Sequence, residues 1–92
     1  MITWHIDYLP KVRKDLDKLD RHIQDQLTMF MEERVAVRQD PRSLGEALRG
    51  PTLGDFWKYR VGDYRIVVDI RDTVRVIMVL DIGNRKEVYR RR

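Results

Sequence analysis

The residues best suited to chemistry in this chain are cations that alternate with apolar residues. Lys58 and Arg60 alternate with the apolar side chains of 57–61, and Arg65 alternates in the same way with those of 64–70. Because successive residues of a strand point to opposite faces of a sheet, the three cations are predicted to share the face turned away from the core. Like charges crowded on one face repel, so this pattern favours a bound anionic group.

A second basic group lies in the last ten residues, which contain five cations and one acid. Tyr89 stands among these cations, between Arg85 and Lys86 on one side and Arg90 on the other. An aromatic ring among arginines can stack on a base, which is one way in which proteins hold single-stranded RNA.

Each basic group also has a purely structural interpretation. Asp63, Asp69 and Asp81 could pair with the strand cations and neutralise them. The terminal cations could form a solvated end of the chain.

The distribution of charge supports an acidic or phosphate-rich partner. Residues 1–46 contain 8 Lys and Arg against 9 Asp and Glu, a balance of −1, and residues 47–92 contain 11 against 6, a balance of +5. Such a field steers polyanions toward the basic half.

Composition removes several classes of function. The chain has no cysteine, which excludes thiol catalysis, disulfides and zinc–thiolate sites. We expect neither a metal nor a cofactor. No apolar run approaches the roughly 18 residues of a membrane span, and no signal segment is recognisable at the start, so a cytoplasmic protein without a membrane partner is expected. His5 and His22 lie away from the basic segments and are interpreted as surface residues.

The first half of the chain predicts a strand followed by a helical hairpin. Apolar residues alternate over 2–6, which is typical of a short strand. Apolar residues then recur at helical spacing, which predicts helices at about 10–19 and 21–38. Asp20 stands at the junction and is predicted to cap the second helix with its side chain.

The second half predicts three antiparallel strands after a loop over 39–55 that is rich in Gly and Pro. Gly62-Asp63 and Asp72-Thr73 are the predicted turns, and the last strand is expected over 74–82. The predicted core is Trp4, Ile6, Leu16, Leu19, Ile23, Leu27, Phe30, Trp57, Tyr59, Ile66, Val68, Val76, Met78 and Leu80.

Together these elements predict one α+β domain over residues 1–92. An N-terminal strand and a helical hairpin precede a three-stranded antiparallel meander, with the helices on one face of the sheet.

Four segments in register resemble the successive motifs of RelE-family toxins, members of the RelE/ParE superfamily from type II toxin–antitoxin systems. They are Leu48-Arg49-Gly50, Trp57-Lys58-Tyr59-Arg60, Asp63-Tyr64-Arg65-Ile66-Val67, and the stretch from Ile82 to Tyr89. The resemblance covers nearly the whole chain and implies the RelE-like microbial ribonuclease fold. It also implies a ribosome-dependent endoribonuclease that cuts messenger RNA in the A site and is silenced by a cognate antitoxin.

The resemblance extends to individual residues. Lys58 and Arg60 match the family's paired basic residues, Arg65 matches its next strand arginine, and Arg85 and Tyr89 match the arginine and tyrosine after the last strand. The chain departs from the pattern in two ways: Asn84 stands where relatives often have histidine or lysine, and the spacing from Arg85 to Tyr89 is shorter than in some members.

The implied reaction needs no metal, because the RNA 2′-hydroxyl can attack the adjacent phosphorus once it loses its proton. Arg65 and Arg85 are suited to hold the oxygens of a dianionic phosphorane-like transition state. Lys58, Arg60, Lys86 and Arg90 would bind the RNA. Two roles are open for Tyr89, which could act as the base or stack on a nucleobase.

Two other functions fit the same pattern. A ParE-like toxin shares the fold but binds and inhibits DNA gyrase without cutting RNA. A non-catalytic nucleic-acid-binding module would need only the charge.

Overall fold

The fold is an α+β sheet covered by helices on one face. The computed structural model describes residues 3–48 and 56–84. Its elements in chain order are β1 (His5–Tyr8), α1 (Pro10–Asp17), α2 (Arg21–Met29), a π-helical segment (Phe30–Val35), a 3-10 helix (Pro41–Leu44), β2 (Glu46–Ala47), β3 (Phe56–Val61), β4 (Tyr64–Arg71) and β5 (Val76–Asn84).

The strands form one sheet in the order β1-β5-β4-β3-β2. β1 runs parallel to β5, and the other neighbours are antiparallel. The predicted strand, helical hairpin and meander are therefore confirmed. The two-residue strand β2 is an addition that lies within the predicted loop. Across the two described ranges, no helix is long and apolar enough to cross a membrane.

The second helix differs from its predicted course. Regular α-helix ends at Met29, and the backbone N–H of Ala36 donates to the carbonyl of Met31 at 2.8 Å, the five-residue spacing of a π-helix. The predicted capping by Asp20 was wrong, because its side chain makes no capping hydrogen bond. The side chain of Gln24 ties α2 to the preceding turn, since its amide donates to the carbonyl of Leu19 at 2.8 Å.

The predicted register of the last strand was also wrong. Ile77 and Val79 enter the core, whereas Val76, Met78 and Leu80 are half-buried on the opposite face. One cause is the turn between β4 and β5, which extends to Arg75, a residue with a φ of 55°, so that the strand begins at Val76.

A β-bulge then changes the alternation within β5. Val68 pairs with Val79 and Val67 pairs with Asp81, so one residue is passed over on β5. This extra residue brings Ile82 back to the core, where it is 7% exposed. The other predicted core residues are buried or pack against the core.

Tyr59 anchors β3 to the segment that precedes it. Its side chain is fully buried, and its hydroxyl donates to the carbonyl of Pro41 at 2.7 Å. The ring of Phe30 packs edge-on against the ring of Tyr59, with 5.7 Å between the ring centroids. Gly45 permits the close approach, because a Cβ there would lie 2.5 Å from the carbonyl oxygen of Lys58. Burial raises the pKa of Tyr59 well above its usual value, so the hydroxyl remains a donor.

An ion pair fastens the same segment to the β4–β5 turn. The guanidinium of Arg42 donates to both carboxylate oxygens of Asp72, at 3.1 and 2.6 Å. It also lies 6.0 Å from the ring of Trp57. The hydrogen bond from Arg42 holds the pKa of Asp72 below its usual value near 3.8.

Tyr59→Phe should lower the free energy of unfolding by about 1–3 kcal/mol, because it leaves the Pro41 carbonyl without its buried donor. Urea denaturation followed by circular dichroism measures the change. Tyr64→Phe is the matched control, since the Tyr64 hydroxyl has no hydrogen-bond partner among the described residues. Equal stability of Tyr59→Phe and wild type would contradict this account of the anchor.

Asp72→Asn should lower the melting temperature at pH 7 and have little effect near pH 2. A carboxylate with a lowered pKa stabilises the fold above its unfolded pKa of about 3.9, and this contribution disappears as the pH falls through the folded pKa. Thermal unfolding from pH 2 to 7 measures the difference. Asp63→Asn, which removes a carboxylate with no ion pair in the described ranges, should unfold like wild type at every pH. A constant deficit of Asp72→Asn across the range would refute the ion-pair explanation.

Candidate nucleic-acid interface

The β3–β4 hairpin places two arginines side by side. Arg60 and Arg65 are direct partners across the two antiparallel strands. They flank the tight turn at Gly62, whose φ of 59° suits glycine. Residues directly opposite each other in such a pair have Cβ atoms about 4.5–5.5 Å apart, so both guanidinium groups can reach one anion.

Both arginines lie on the face of the sheet away from the helices, which we call the open face. The alternate residues Tyr59 and Val61 of β3 and Ile66 of β4 are buried in the core. Lys58 stands on the open face two residues before Arg60. The structure thus brings Lys58, Arg60 and Arg65 together, as the alternation predicts.

The carboxylates that could have neutralised these cations have other positions. Asp69 accepts from Nε of Arg71 at 3.1 Å, and Asp81 accepts from Nζ of Lys11 at 3.1 Å. In the described part of the chain, neither Arg60 nor Arg65 has a side-chain hydrogen bond or ion pair. The interpretation in which aspartates neutralise the cluster therefore does not describe the structure.

Lys58 has one weak acidic neighbour. Its Nζ lies 4.0 Å from a carboxylate oxygen of Glu46, the residue opposite it on the edge strand β2. The carboxylate side chain is 80% exposed, so solvent screens the pair and its energy is small. Lys58 consequently remains available to a stronger anion such as a phosphate.

The open face also carries apolar side chains, which the cation pattern does not reveal. Phe56 lies in line with Lys58 and Arg60, at alternate positions of β3. Val67, which lies between Arg65 and Asp69 on this face of β4, is 9% exposed, and Met78 of β5 is half-buried. Phe56 could have been found from the same alternation, because it stands two residues before Lys58. Met78 could not, since β5 is apolar on both faces.

The second predicted group, Arg85, Lys86, Tyr89 and Arg90, lies outside the described residues. The described chain ends at Asn84, one residue after Gly83, the cross-strand partner of Arg65.

The histidines stand apart from the cationic group. His5 is exposed and its Nε2 lies 3.3 Å from a carboxylate oxygen of Asp7. His22 is exposed on α2. Among the described tyrosines, burial and the neighbouring Glu32 raise the pKa of Tyr8 well above its usual value, so its hydroxyl remains protonated and donates to Glu32.

Several solved structures are similar to this chain. A chain of the RelBE2 toxin–antitoxin complex from Mycobacterium tuberculosis is 25% identical, with a TM-score of 0.81, and the match covers 92% of this chain and 94% of that one. The isolated RelE toxin of E. coli is 23% identical, with a TM-score of 0.69 and coverage of 96% and 93%. A chain of the archaeal RelE–RelB complex from Pyrococcus horikoshii is 23% identical, with a TM-score of 0.67 and coverage of 91% and 97%.

The last two matches show a shared fold. No curated protein matches the chain significantly. A family model does: that of the ParE toxin of the type II toxin–antitoxin system parDE matches residues 6–89. The chain therefore belongs to the ParE toxin family, within the RelE/ParE superfamily of type II toxin–antitoxin toxins.

Proposed function

We propose that this toxin is a ribosome-dependent endoribonuclease that cleaves messenger RNA in the A site. The observation that carries the proposal is the direct pairing of Arg60 with Arg65 on the open face, with no carboxylate partner in the described ranges. Two like charges placed directly opposite each other destabilise a sheet. A bound phosphate removes that repulsion and gains charge-assisted hydrogen bonds from both arginines.

The reaction is a transfer within the RNA itself. The 2′-hydroxyl loses its proton and attacks the adjacent phosphorus, and the departing 5′-oxygen gains a proton. Negative charge develops on the phosphorus oxygens in the transition state. Arg65 is half-buried, and its planar fork can bind two of these oxygens; Arg85 is proposed to bind from the segment that follows β5. No step of this sequence requires a metal.

The remaining cations are proposed to bind the RNA. Lys58 and Arg60 hold phosphates along β3, and Lys86 and Arg90 hold them from the terminal segment. Tyr89 either accepts the 2′-hydroxyl proton or stacks on a base. The first role requires its pKa to fall from about 10 to about 7, a preferential stabilisation of about 4 kcal/mol.

Dependence on the ribosome follows from the sparse acid–base set. Neither histidine lies among the cations, and burial raises the pKa of Tyr8 and of Tyr59 so that both hydroxyls stay protonated. Precise positioning of the substrate by the ribosome can supply the missing rate, because fixed geometry is worth about 7–11 kcal/mol in favourable cases.

The cognate antitoxin is the proposed regulator in the cytoplasm. Two similar structures are toxin–antitoxin complexes by description. An acidic antitoxin segment that covers the sheet and the helical hairpin would neutralise Arg60 and Arg65. It would thereby prevent an RNA phosphate from binding to them.

A second candidate function is favoured by the family model, whose name is that of the ParE toxins. In this alternative the protein binds DNA gyrase and inhibits it without cutting RNA. The nuclease is preferred because the combination of Arg65, Arg85 and Tyr89 is the feature that ParE-like proteins generally lack.

The two candidates separate in a purified system. We expect programmed ribosomes with this toxin to release messenger RNA cut in the A-site codon, and free RNA to be cut far more slowly, since the ribosome positions the substrate. Primer extension locates the cut. The same preparation should leave the supercoiling activity of DNA gyrase unchanged. Loss of supercoiling with intact messenger RNA would establish the gyrase function instead.

Arg65→Ala should reduce single-turnover cleavage on ribosomes by about 100- to 1000-fold, because it removes a charge aimed at developing negative charge. Arg85→Ala is expected to reduce cleavage by a similar factor. Tyr89→Phe distinguishes its two roles: a large loss assigns the hydroxyl to proton transfer, and near-normal cleavage assigns the ring to stacking.

Arg21→Ala is the matched control for these variants. It removes the same charge from α2, where the side chain is 88% exposed and pairs only with Asp25 among the described residues. His22→Ala tests the histidine in the same way. Both should cleave like wild type, and circular dichroism verifies that every variant is folded. Wild-type cleavage by Arg65→Ala and Arg85→Ala would reject the proposed site.

A further inference from the structure

Phe56 is an aromatic side chain on the open face that the proposed reaction does not use. It begins β3, and the strand alternation places it in line with Lys58 and Arg60. The next residue, Trp57, faces the other way and packs against the core. Both rings are half-buried, but packing against the core explains only the ring of Trp57, and the ring of Phe56 lies on the same surface as the cations.

The cross-strand pairs on the open face of the hairpin differ in charge from one end of β3 to the other. Arg60 lies opposite Arg65, and Phe56, at the other end of the row, lies opposite Asp69. The two ends are four residues apart, or about 13 Å along a strand. A phosphate is attracted to the arginine end, whereas at the Phe56 end the cation Arg71 is already paired with Asp69.

The surface around Phe56 suits a flat apolar group. Val67 lies diagonally across the hairpin, and Met78 is the partner of Asp69 on the next strand. Both are apolar side chains of the open face. Aromatic rings prefer to pack against other planar rings, and each base of a nucleic acid offers such a face.

We propose that Phe56 is the stacking platform for one base of a single-stranded RNA whose phosphates bind Lys58, Arg60 and Arg65. The inference rests on the proposed function and extends it from the cleaved phosphate to a neighbouring nucleotide. Single-stranded RNA alternates phosphates with flat rings. The open face of β3 offers a partner for each, because Lys58 and Arg60 can bind phosphates and Phe56 can stack on a ring. An acidic peptide would satisfy the arginines but would not require a planar ring at Phe56.

The test is direct binding of a short 2′-O-methyl RNA oligomer, which lacks the attacking hydroxyl and stays intact. Fluorescence anisotropy at low salt measures its affinity. Phe56→Ala should weaken binding about 5- to 150-fold, the range that corresponds to one lost stacking contact. Phe56→Tyr and Phe56→Trp should bind like wild type, and Phe56→Leu, which keeps apolar bulk without a flat ring, should bind as weakly as Phe56→Ala.

Two further measurements separate stacking from charge. An abasic oligomer with the same phosphates should bind wild type and Phe56→Ala equally. The slope of log affinity against log salt should be unchanged in Phe56→Ala, whereas Arg65→Ala should reduce it by about 0.7, the loss of one phosphate contact. Met29→Ala and Val74→Ala are controls, because these side chains are exposed apolar groups at 51% and 64% on other parts of the surface.

Each outcome decides the inference. Wild-type affinity of Phe56→Ala, full affinity of Phe56→Leu, or no measurable binding by wild type overturns it. So does a loss of antitoxin binding by Phe56→Ala with unchanged oligomer binding, which would make the surface a protein interface. Phe56-dependent binding without cleavage on ribosomes would uphold the platform and reject the nuclease; cleavage on ribosomes with Phe56-independent binding would do the reverse.

Discussion

The hydrogen bond from the buried hydroxyl of Tyr59 to the carbonyl of Pro41 fixes the strand on which the candidate site is built. Once Tyr59 is in the core, alternation requires Lys58 and Arg60 to face the other side. The tight turn at Gly62 then carries this register into β4 and sets Arg65 opposite Arg60. The position of the cations thus depends on packing beneath the sheet, and within the described residues Arg60 and Arg65 contribute no side-chain hydrogen bond or ion pair to it.

The sequence predicted this hairpin well because polar and apolar residues alternate along both of its strands. The same reasoning failed for β5, where Val76–Leu80 is apolar at every position and both faces fit equally. The register there is decided by tertiary pairing of Ile77 with Ile6 and Ile70, and by the bulge that returns Ile82 to the core. The bond between Gln24 and Leu19 was unpredictable for a related reason, because it depends on the path of the turn between the two helices.

The alternation of polar and apolar residues predicted only part of the candidate site. Residue type and spacing identified the cations, since like charges crowded on one face of a sheet repel each other. Whether aspartates neutralise them depends on geometry, and Asp69 and Asp81 pair with Arg71 and Lys11. Phe56 was not singled out as a site residue, although the same alternation places it in line with Lys58 and Arg60.

The fold alone does not distinguish a nuclease from a gyrase inhibitor, because related toxins place different chemistry on the same sheet. The proposed choice between them rests on the electrostatic cost that the sheet bears. Two unneutralised arginines in direct register destabilise a sheet, and inhibition through shape does not by itself require them. A phosphate-binding enzyme needs this pair, since its attraction for developing charge depends on the absence of a competing carboxylate. The pairing of Arg60 with Arg65 is therefore the strongest physical reason to prefer the nuclease.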